Sequence, residues 1–566
     1  MTIPALASTD ALVSWVESPR SGHGVHVHVD DAWTMHSYSE LAGRVRAAAH
    51  QLRGAGMSVD DVVAICDPRP IDFLVAFFGV LYAGGTPLPL PASSTCLPEL
   101  IVHMAVVLDL VHPRLLITTG GSQDLVDAAL ARAKADVEPV TLHPHSLAEW
   151  SREPLAAVGL LQCTSGSTGA PRGVLVTCDN LIAQVNNVVS WHRMGQDEGL
   201  ASWLPLHHDM GLVGLLLSAV LSQVDLWQLT PEQFLGAPHR WLECLDRGRA
   251  TITAAPTFGY GYVARHVTPE QLDSMDFSNV KSMIVGAERL APATLRSFAD
   301  LLTPRRLSAR ALRPAYGLAE ATLAVTGTDI GHTQHLVGVD WSTARPGARL
   351  PLGPVRTLMG THAPDPAAIV SCGRPLKRTN VRIVDEDGVP VPEGFLGEIT
   401  VVGPSVAAGY VGSTEETVTR FDRGQLSTGD AGFLYCGDLY VVGRMADSLK
   451  IRGRRIPAES VEQRVATDHS LSVHRCVAIP TIEAEGLALI LEEAPESVCD
   501  EDVLRSARAV AGPTVNVRVL RVPAGTIERT TSGKVRRRLM WRLLSGAFRD
   551  HDPRSDQLRQ PVAQES

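Results

Sequence analysis

The sequence predicts a multidomain α/β protein, and three observations carry that expectation. Helical and extended runs alternate from Ser37 to Thr118, the pattern of mostly parallel sheets covered by helices. The chain has 566 residues, more than one hydrophobic core organises, so several domains or subdomains are expected. Short alternating strands at Val381 to Asp385 and Gly397 to Val402 mark a small β unit, and a separate, smaller α/β piece follows the basic stretch from Lys450 to Arg455.

Each element has a local cause. Ser37 followed by Glu40 has the form of a capping box, after which Leu41, Val45, Ala48 and Leu52 share one face of a helix that ends near Gly54 and Gly56. Val62 to Cys66 reads as a short buried strand. Ile71 to Tyr82 reads as a helix closed by Gly84-Gly85-Thr86-Pro87, with an extended Leu88 to Pro91 behind it. Leu115 to Thr118 is a further strand. Leu181 to Trp191 is expected to be helical; Ala201 to Leu206, Thr251 to Ala255 and Ser282 to Val285 are expected to be extended. Val337 to Ala368 is rich in Pro and Gly with little periodicity, which reads as an insertion or long loop. The polar, charged residues after about 550 read as disordered.

Between the apolar runs Val158 to Cys163 and Val174 to Thr177 lies Thr164 to Gly173, TSGSTGAPRG. Glycines allow backbone N–H groups close approach to an oxyanion, and Thr164, Ser165, Ser167 and Thr168 add hydroxyl donors around Gly166 and Gly169. Arg172 supplies positive charge at the end of the loop. A solvent-exposed Gly/Ser turn is the plainer alternative. The stretch is not a Walker A loop, because it leads into a second strand and no GK[ST] follows.

Other candidates lie at the ends of strands. His207-His208-Asp209 suggests a metal, but neighbours in an extended segment face opposite ways and cannot all ligate one ion, so a single pocket-facing histidine, His208, is preferred. Trp203 and Phe258-Gly259-Tyr260 read either as a slot for an apolar ligand or as core. Gly286-Ala287-Glu288 ends a strand. Tyr316 and Glu320, four residues apart, read as a stacking ring and a cation ligand or as ordinary surface residues.

Composition excludes several classes. Lys+Arg of 51 against Asp+Glu of 61 gives a net charge of -10, which argues against broad nucleic-acid binding. Nine scattered cysteines without a CxxC pair read as free thiols in a reducing cytoplasm, and no signal peptide is visible. The longest apolar run, Phe73 to Ala83, is too short to span a bilayer and reads as a buried helix or strand.

TSGSTGAPRGV, YGLAE at 316, STGD at 427, GR at 443 and RTTSGK at 529 occur in the order and approximate spacing of one family. The chain, from SYSEL at 37 to SGK at 534, resembles the adenylate-forming superfamily of acyl and aryl CoA ligases, luciferases and nonribosomal adenylation domains. LPLHHDMGL, YGLAEATL and VSCGRPL are similar to the versions in fatty acyl-AMP ligases, and Val337 to Ala368 lies where their insertion falls. RGRRIPAESVE departs from that subgroup's pattern.

The resemblance implies ATP and Mg²⁺ as cofactors, and a carboxylic acid, with a phosphopantetheinylated acyl carrier protein to receive it. It implies a large N-terminal domain over 1–442, a hinge at 443–447, a small mobile C-terminal α/β domain over 448–548 and a tail over 549–566. Thr164 to Gly169 would hold phosphates. Gly286, Ala287, Glu288, Tyr316 and Gly317 would frame adenine, Glu320 would bind Mg²⁺, Asp430 with Arg444 would meet the ribose, and His208 would stand by the reacting carboxylate. Lys534 would supply the cation for the chemistry. Arg172 stands where the family has lysine, and Ala446 where the hinge has Asp or Lys, with Asp447 the nearest substitute. Arginines at 452, 454, 455, 536, 537 and 538 offer either a dock for an acidic carrier or a solvated face. Two other activities fit the same motifs: an acyl-CoA ligase and a non-catalytic nucleotide-binding homologue.

Overall fold

In the computed structural model the described residues are 3–92, 97–118, 121–143, 152–165, 171–341, 348–360, 368–412, 419–422, 424–445, 448–451, 454–480, 486–495, 497–529 and 535–544. They form two compact units. The larger contains the described residues up to Val442 except those in 340–351, which group with the smaller unit that begins at Gly443.

The first helix of the larger unit, Tyr38–Gly54, starts because the Ser37 side chain accepts from the Glu40 N–H at 3.2 Å. Only half of the expected capping box forms, since the Glu40 carboxylate turns to His36 Nδ1 at 2.8 Å. Leu41, Val45, Ala48 and Leu52 are buried along one face, as their spacing predicts. Pro70–Tyr82 is a helix buried on nearly all sides, which settles the apolar run as core. A complete capping box between Thr177 and Asn180 starts the helix Cys178–Trp191.

Among the described residues the larger unit has a nine-stranded sheet whose middle is parallel. In spatial order its central strands are Leu312–Gly317, Ser282–Gly286, Ile252–Pro256, Gly199–Ser202, Asp225–Gln228 and Gly24–Val29, all paired in parallel. Antiparallel strands Ala324–Gly327 and Ala32–Ser37 flank them. A second sheet is wholly parallel, in the order Thr86–Pro89, Val62–Cys66, Leu115–Thr118 and Glu138–Val140. The remaining sheets of this unit are antiparallel. Asn380–Val384 and Gly397–Val402 join Gln425–Tyr435 and its neighbours in the small β unit.

Pro256 to Gly261 follows the strand as read and continues into the helix Thr257–His266. Two expectations are corrected. The extended run expected to Leu206 stops at Ser202, and His207 to Asp209 turn into the π-helical Met210–Leu217. Val337 to Ala368 is not all loop, since His335–Gly338 pairs with Arg356–Thr357 and Ala368–Val370 in a small sheet; 342–347 and 361–367 lie outside the described residues.

The smaller unit contains the hairpin Ser448–Ile451 and Arg454–Pro457 and a sheet of Cys476–Pro480, Gly486–Glu492 and Asn516–Val522. Within it Arg537 forms a two-pronged ion pair with the buried Glu462 at 2.8 and 2.9 Å and reaches Glu459 at 3.6 Å. This arginine therefore anchors the helix Arg537–Leu544, and is neither of the two things expected of it, a docking charge or part of a solvated face. The described cysteines are free thiols, and among the described residues no helix is long and apolar enough to cross a membrane.

Candidate active site

Ligands of parallel α/β sheets sit beyond the carboxyl ends of the strands, and the expected site residues Gly286, Ala287, Glu288, Tyr316 and Gly317 lie at or just after two such ends. Ser282–Gly286 runs into Ala287, which holds φ of 66°, and then into the exposed Glu288. Glu288 Oε1 accepts from the Phe258 N–H at 2.5 Å, so this turn is tied to the start of the helix Thr257–His266. The neighbouring strand Leu312–Gly317 ends in Tyr316-Gly317, and the Tyr316 hydroxyl donates to Asp430 Oδ2 at 2.6 Å. A candidate stacking ring and a candidate ribose acceptor thus meet from different sheets.

The same two strands are braced near their starts, away from these ends, by a residue the sequence did not single out. Arg313 is fully buried and donates to Ser282 Oγ at 2.8 Å, to the Thr328 carbonyl at 2.8 Å and toward His192 Nδ1 at 3.0 Å, with its guanidinium over the Trp191 ring at 4.3 Å. Burial, then the Arg313 charge, holds the His192 imidazole well below its usual pKa, so it presents an unprotonated nitrogen to the arginine.

Glu320 follows Tyr316 in a tight turn. Its side chain is buried, 6% exposed, and its Oε1 accepts from the Tyr410 hydroxyl at 2.7 Å. The Arg172 guanidinium lies 5.5 Å from the centre of the Tyr410 ring. Arg172 pairs in register with Thr164 across the antiparallel strands Val158–Ser165 and Pro171–Thr177, whose connection is the glycine loop. Residues Gly166, Ser167, Thr168 and Gly169, the Ser165 side chain, Ala446, Asp447 and Lys534 lie outside the described residues. Arg444 is described and belongs to the smaller unit.

The histidine pair departs from its expected geometry. Because the segment turns, the His207 and His208 rings lie 4.6 Å apart at 38° and do not face opposite ways. The His207 carbonyl accepts from Gln162 Nε2 at 2.7 Å, which fastens the turn to the strand entering the glycine loop. Burial, reinforced by His208 and His103, holds the His207 imidazole well below its usual pKa. Asp209 accepts from the Met210 N–H and so caps the following helix.

Of the four apolar candidates, Tyr260 is core: it is fully buried, donates to the Ile284 carbonyl at 2.8 Å and packs on Trp241 and Phe298. Phe258 is half-buried against Tyr262. Trp203 stacks on Phe234 with centroids 3.9 Å apart, over Gly259. A Cβ at Gly259 would stand 2.6 Å from Trp203 Cζ2. Gly259→Ala should push the indole off Phe234 and cost about 1–3 kcal/mol, the usual range for overpacking, measured as a lowered unfolding midpoint. An unchanged midpoint would show that the ring shifts freely.

A family model described as AMP-binding enzyme matches residues 17–411. A 4-hydroxyphenylalkanoate adenylyltransferase of Mycobacterium marinum is 33% identical over 539 residues, covering 88% of this chain and 84% of that protein. The long-chain-fatty-acid--AMP ligase FadD26 of the same species is 31% identical, covering 88% and 90%. A structure from studies of fatty acyl-adenylate ligases of E. coli and L. pneumophila superposes with a TM-score of 0.80 at 27% identity, covering 95% of this chain and 97% of that one. With the family model matching well over half the chain, and relatives above 30% identity along most of it, this protein belongs to the AMP-binding enzyme family.

Proposed function

We propose that the protein activates a carboxylic acid, a fatty acid in the first instance, with ATP to an acyl-adenylate and then passes the acyl group to the phosphopantetheine thiol of an acyl carrier protein. The observation that carries this reading is the meeting of Tyr316 with Asp430, and of Tyr410 with both Glu320 and Arg172, in an AMP-binding enzyme. Relatives named fatty-acid-AMP ligases support the acid.

The roles follow from charge. A carboxylate oxygen attacks the α-phosphorus, the bond to the bridging oxygen breaks, and pyrophosphate departs; in the second step the thiol sulfur bonds the acyl carbon, AMP leaves, and the thiol proton is released. The acid is already ionised at neutral pH, so the first step needs cations and positioning more than proton transfer. Thr164 to Gly169 and Arg172 would receive the outer phosphates. Tyr316 would stack on adenine within a frame of Gly286, Ala287, Glu288 and Gly317, Asp430 would accept from the ribose hydroxyls with Arg444 beside it, and His208 would orient the acid. Lys534 would bridge the attacking and leaving oxygens, with Ala446 and Asp447 as the hinge of its unit.

Glu320 fits a magnesium ion, because a buried carboxylate with one oxygen held by Tyr410 and no partner for the other among the described residues is a hard oxygen donor suited to that cation. Bound there, Mg²⁺ would neutralise phosphate charge. Acyl-CoA formation is the second reading, favoured by relatives named putative fatty-acid--CoA ligase FadD21 at 32% identity. Acid-dependent ATP–pyrophosphate exchange tests the first step. Offering the adenylate free coenzyme A and holo-carrier protein separates the two outcomes; acceptance by coenzyme A alone would overturn the carrier assignment, and no exchange with any acid would overturn both.

A further inference from the structure

The segment from Pro404 to Val411 runs between the turn that carries Glu320 and the strand that carries Arg172, and it is fastened to both. Ala407 N–H donates to the Glu320 carbonyl at 3.0 Å and Thr322 Oγ1 donates to the Ser405 carbonyl at 2.6 Å. On the other side Ala408 N–H reaches the Leu175 carbonyl at 2.9 Å and Val411 N–H the Gly173 carbonyl at 2.8 Å, with Tyr410 in register with Val174. Asn180 Nδ2 holds the Pro404 and Val406 carbonyls from the adjacent helix. One side chain on this strap touches both functional elements: Tyr410 gives its hydroxyl to Glu320 and its ring face to Arg172, while Phe421 packs edge-on against the ring at 5.2 Å.

We infer that Tyr410 is a positioning residue for the divalent cation of the bound nucleotide, holding the Glu320 carboxylate by one oxygen so that the other faces the ion, and seating the Arg172 guanidinium on its ring. This rests on the AMP-binding reading and adds a residue that the motifs do not mark. A carboxylate buried to this degree has few ways to stay fixed without a cation, and a single strong hydroxyl donor restricts its rotation without neutralising it. Arginine suits position 172 for the same reason. Its flat guanidinium can lie over an aromatic face, whereas an ammonium makes a more strongly hydrated point charge.

The test uses the full chain with Mn²⁺ as the probe, followed by its paramagnetic resonance signal in the presence of ATP, together with the Mg²⁺ dependence of ATP–pyrophosphate exchange. Tyr410→Phe removes one hydroxyl and keeps the ring, its contact with Phe421 and its place under Arg172. The expected result is Mn²⁺ affinity weakened about tenfold, the scale of one hydrogen bond to a charged group, with exchange restored at high Mg²⁺. Glu320→Gln should weaken Mn²⁺ further, and the double variant should match Glu320→Gln alone, because both changes act through one carboxylate. Wild-type Mn²⁺ affinity in Tyr410→Phe, with or without a lower unfolding midpoint, would overturn the assignment. If Tyr410→Phe does not fold, Phe421→Leu with Tyr410 retained decides instead: a weakened ring contact should then leave Mn²⁺ affinity within about twofold, and a larger loss would assign the effect to packing. Absence of any Glu320-dependent Mn²⁺ binding in the wild type would instead count against the AMP-binding site itself, so the two failures are separable.

Discussion

Lys534→Ala should slow acid-dependent adenylation by about two to three orders of magnitude, the loss seen when one preorganised charge or donor is removed from a developing anion. The first half-reaction places negative charge on the attacking oxygen, on the phosphorane oxygens and on departing pyrophosphate at once. A cation that spans them stabilises the transition state more than the separated substrates. The second half-reaction has no such demand, so thiol transfer from a supplied acyl-adenylate should persist within a few-fold in the same variant. Pyrophosphate exchange and single-turnover transfer measured side by side check this. Equal loss in both would place Lys534 in a general structural role, and an unchanged exchange rate would remove it from the chemistry.

Gly317→Ala should be strongly damaging to the turn that carries two of the expected site residues. A Cβ there would stand 1.9 Å from the Leu323 carbonyl oxygen, 2.7 Å from its carbon and 2.9 Å from Ala324 Cα. All three are backbone atoms in the turn where Gly317 pairs with Ala324 and the Leu318 N–H donates to the Leu323 carbonyl at 2.8 Å. No rotamer relieves such a clash, so the turn must open and carry Tyr316 and Glu320 with it. The expected cost is about 3 kcal/mol or more, as for other forced backbone strain in a packed site. It should be read as a lower unfolding midpoint together with loss of AMP binding. Gly236→Ala, at a helix end where a Cβ would meet nothing within 4 Å, should change neither. A Gly317→Ala protein with wild-type stability and AMP affinity would show that the turn tolerates displacement.

Local rules were enough for much of the fold. Ser37 and Thr177 start helices because a hydroxyl one residue ahead of an apolar periodic run finds an N–H three residues on, a relation contained within a few positions. The strands Val62–Cys66 and Leu115–Thr118 fall where the apolar runs predict them, and alternation with helices predicts their parallel pairing. The ordered motifs likewise marked Arg172, Tyr316, Glu320 and Asp430 as belonging to one chemistry.

Which atoms meet was decided by tertiary structure alone. Tyr316 and Asp430 are 114 positions apart, and Tyr410 and Glu320 are 90 apart, distances over which no periodicity carries information. Tyr410 escaped notice for that reason: an aromatic residue after a glycine has no local signature of what its hydroxyl will find. Tyr260 and Trp203 are both buried in the core, and packing alone decided that one bonds Ile284 while the other stacks on Phe234 over a glycine. Arg313 carries the same lesson, since a charged residue in a strand is ordinarily placed toward water. Local sequence dictates helices, strands and their caps because those depend on neighbours a few residues away; the site depends on which strand ends converge, and only packing of the whole unit sets that.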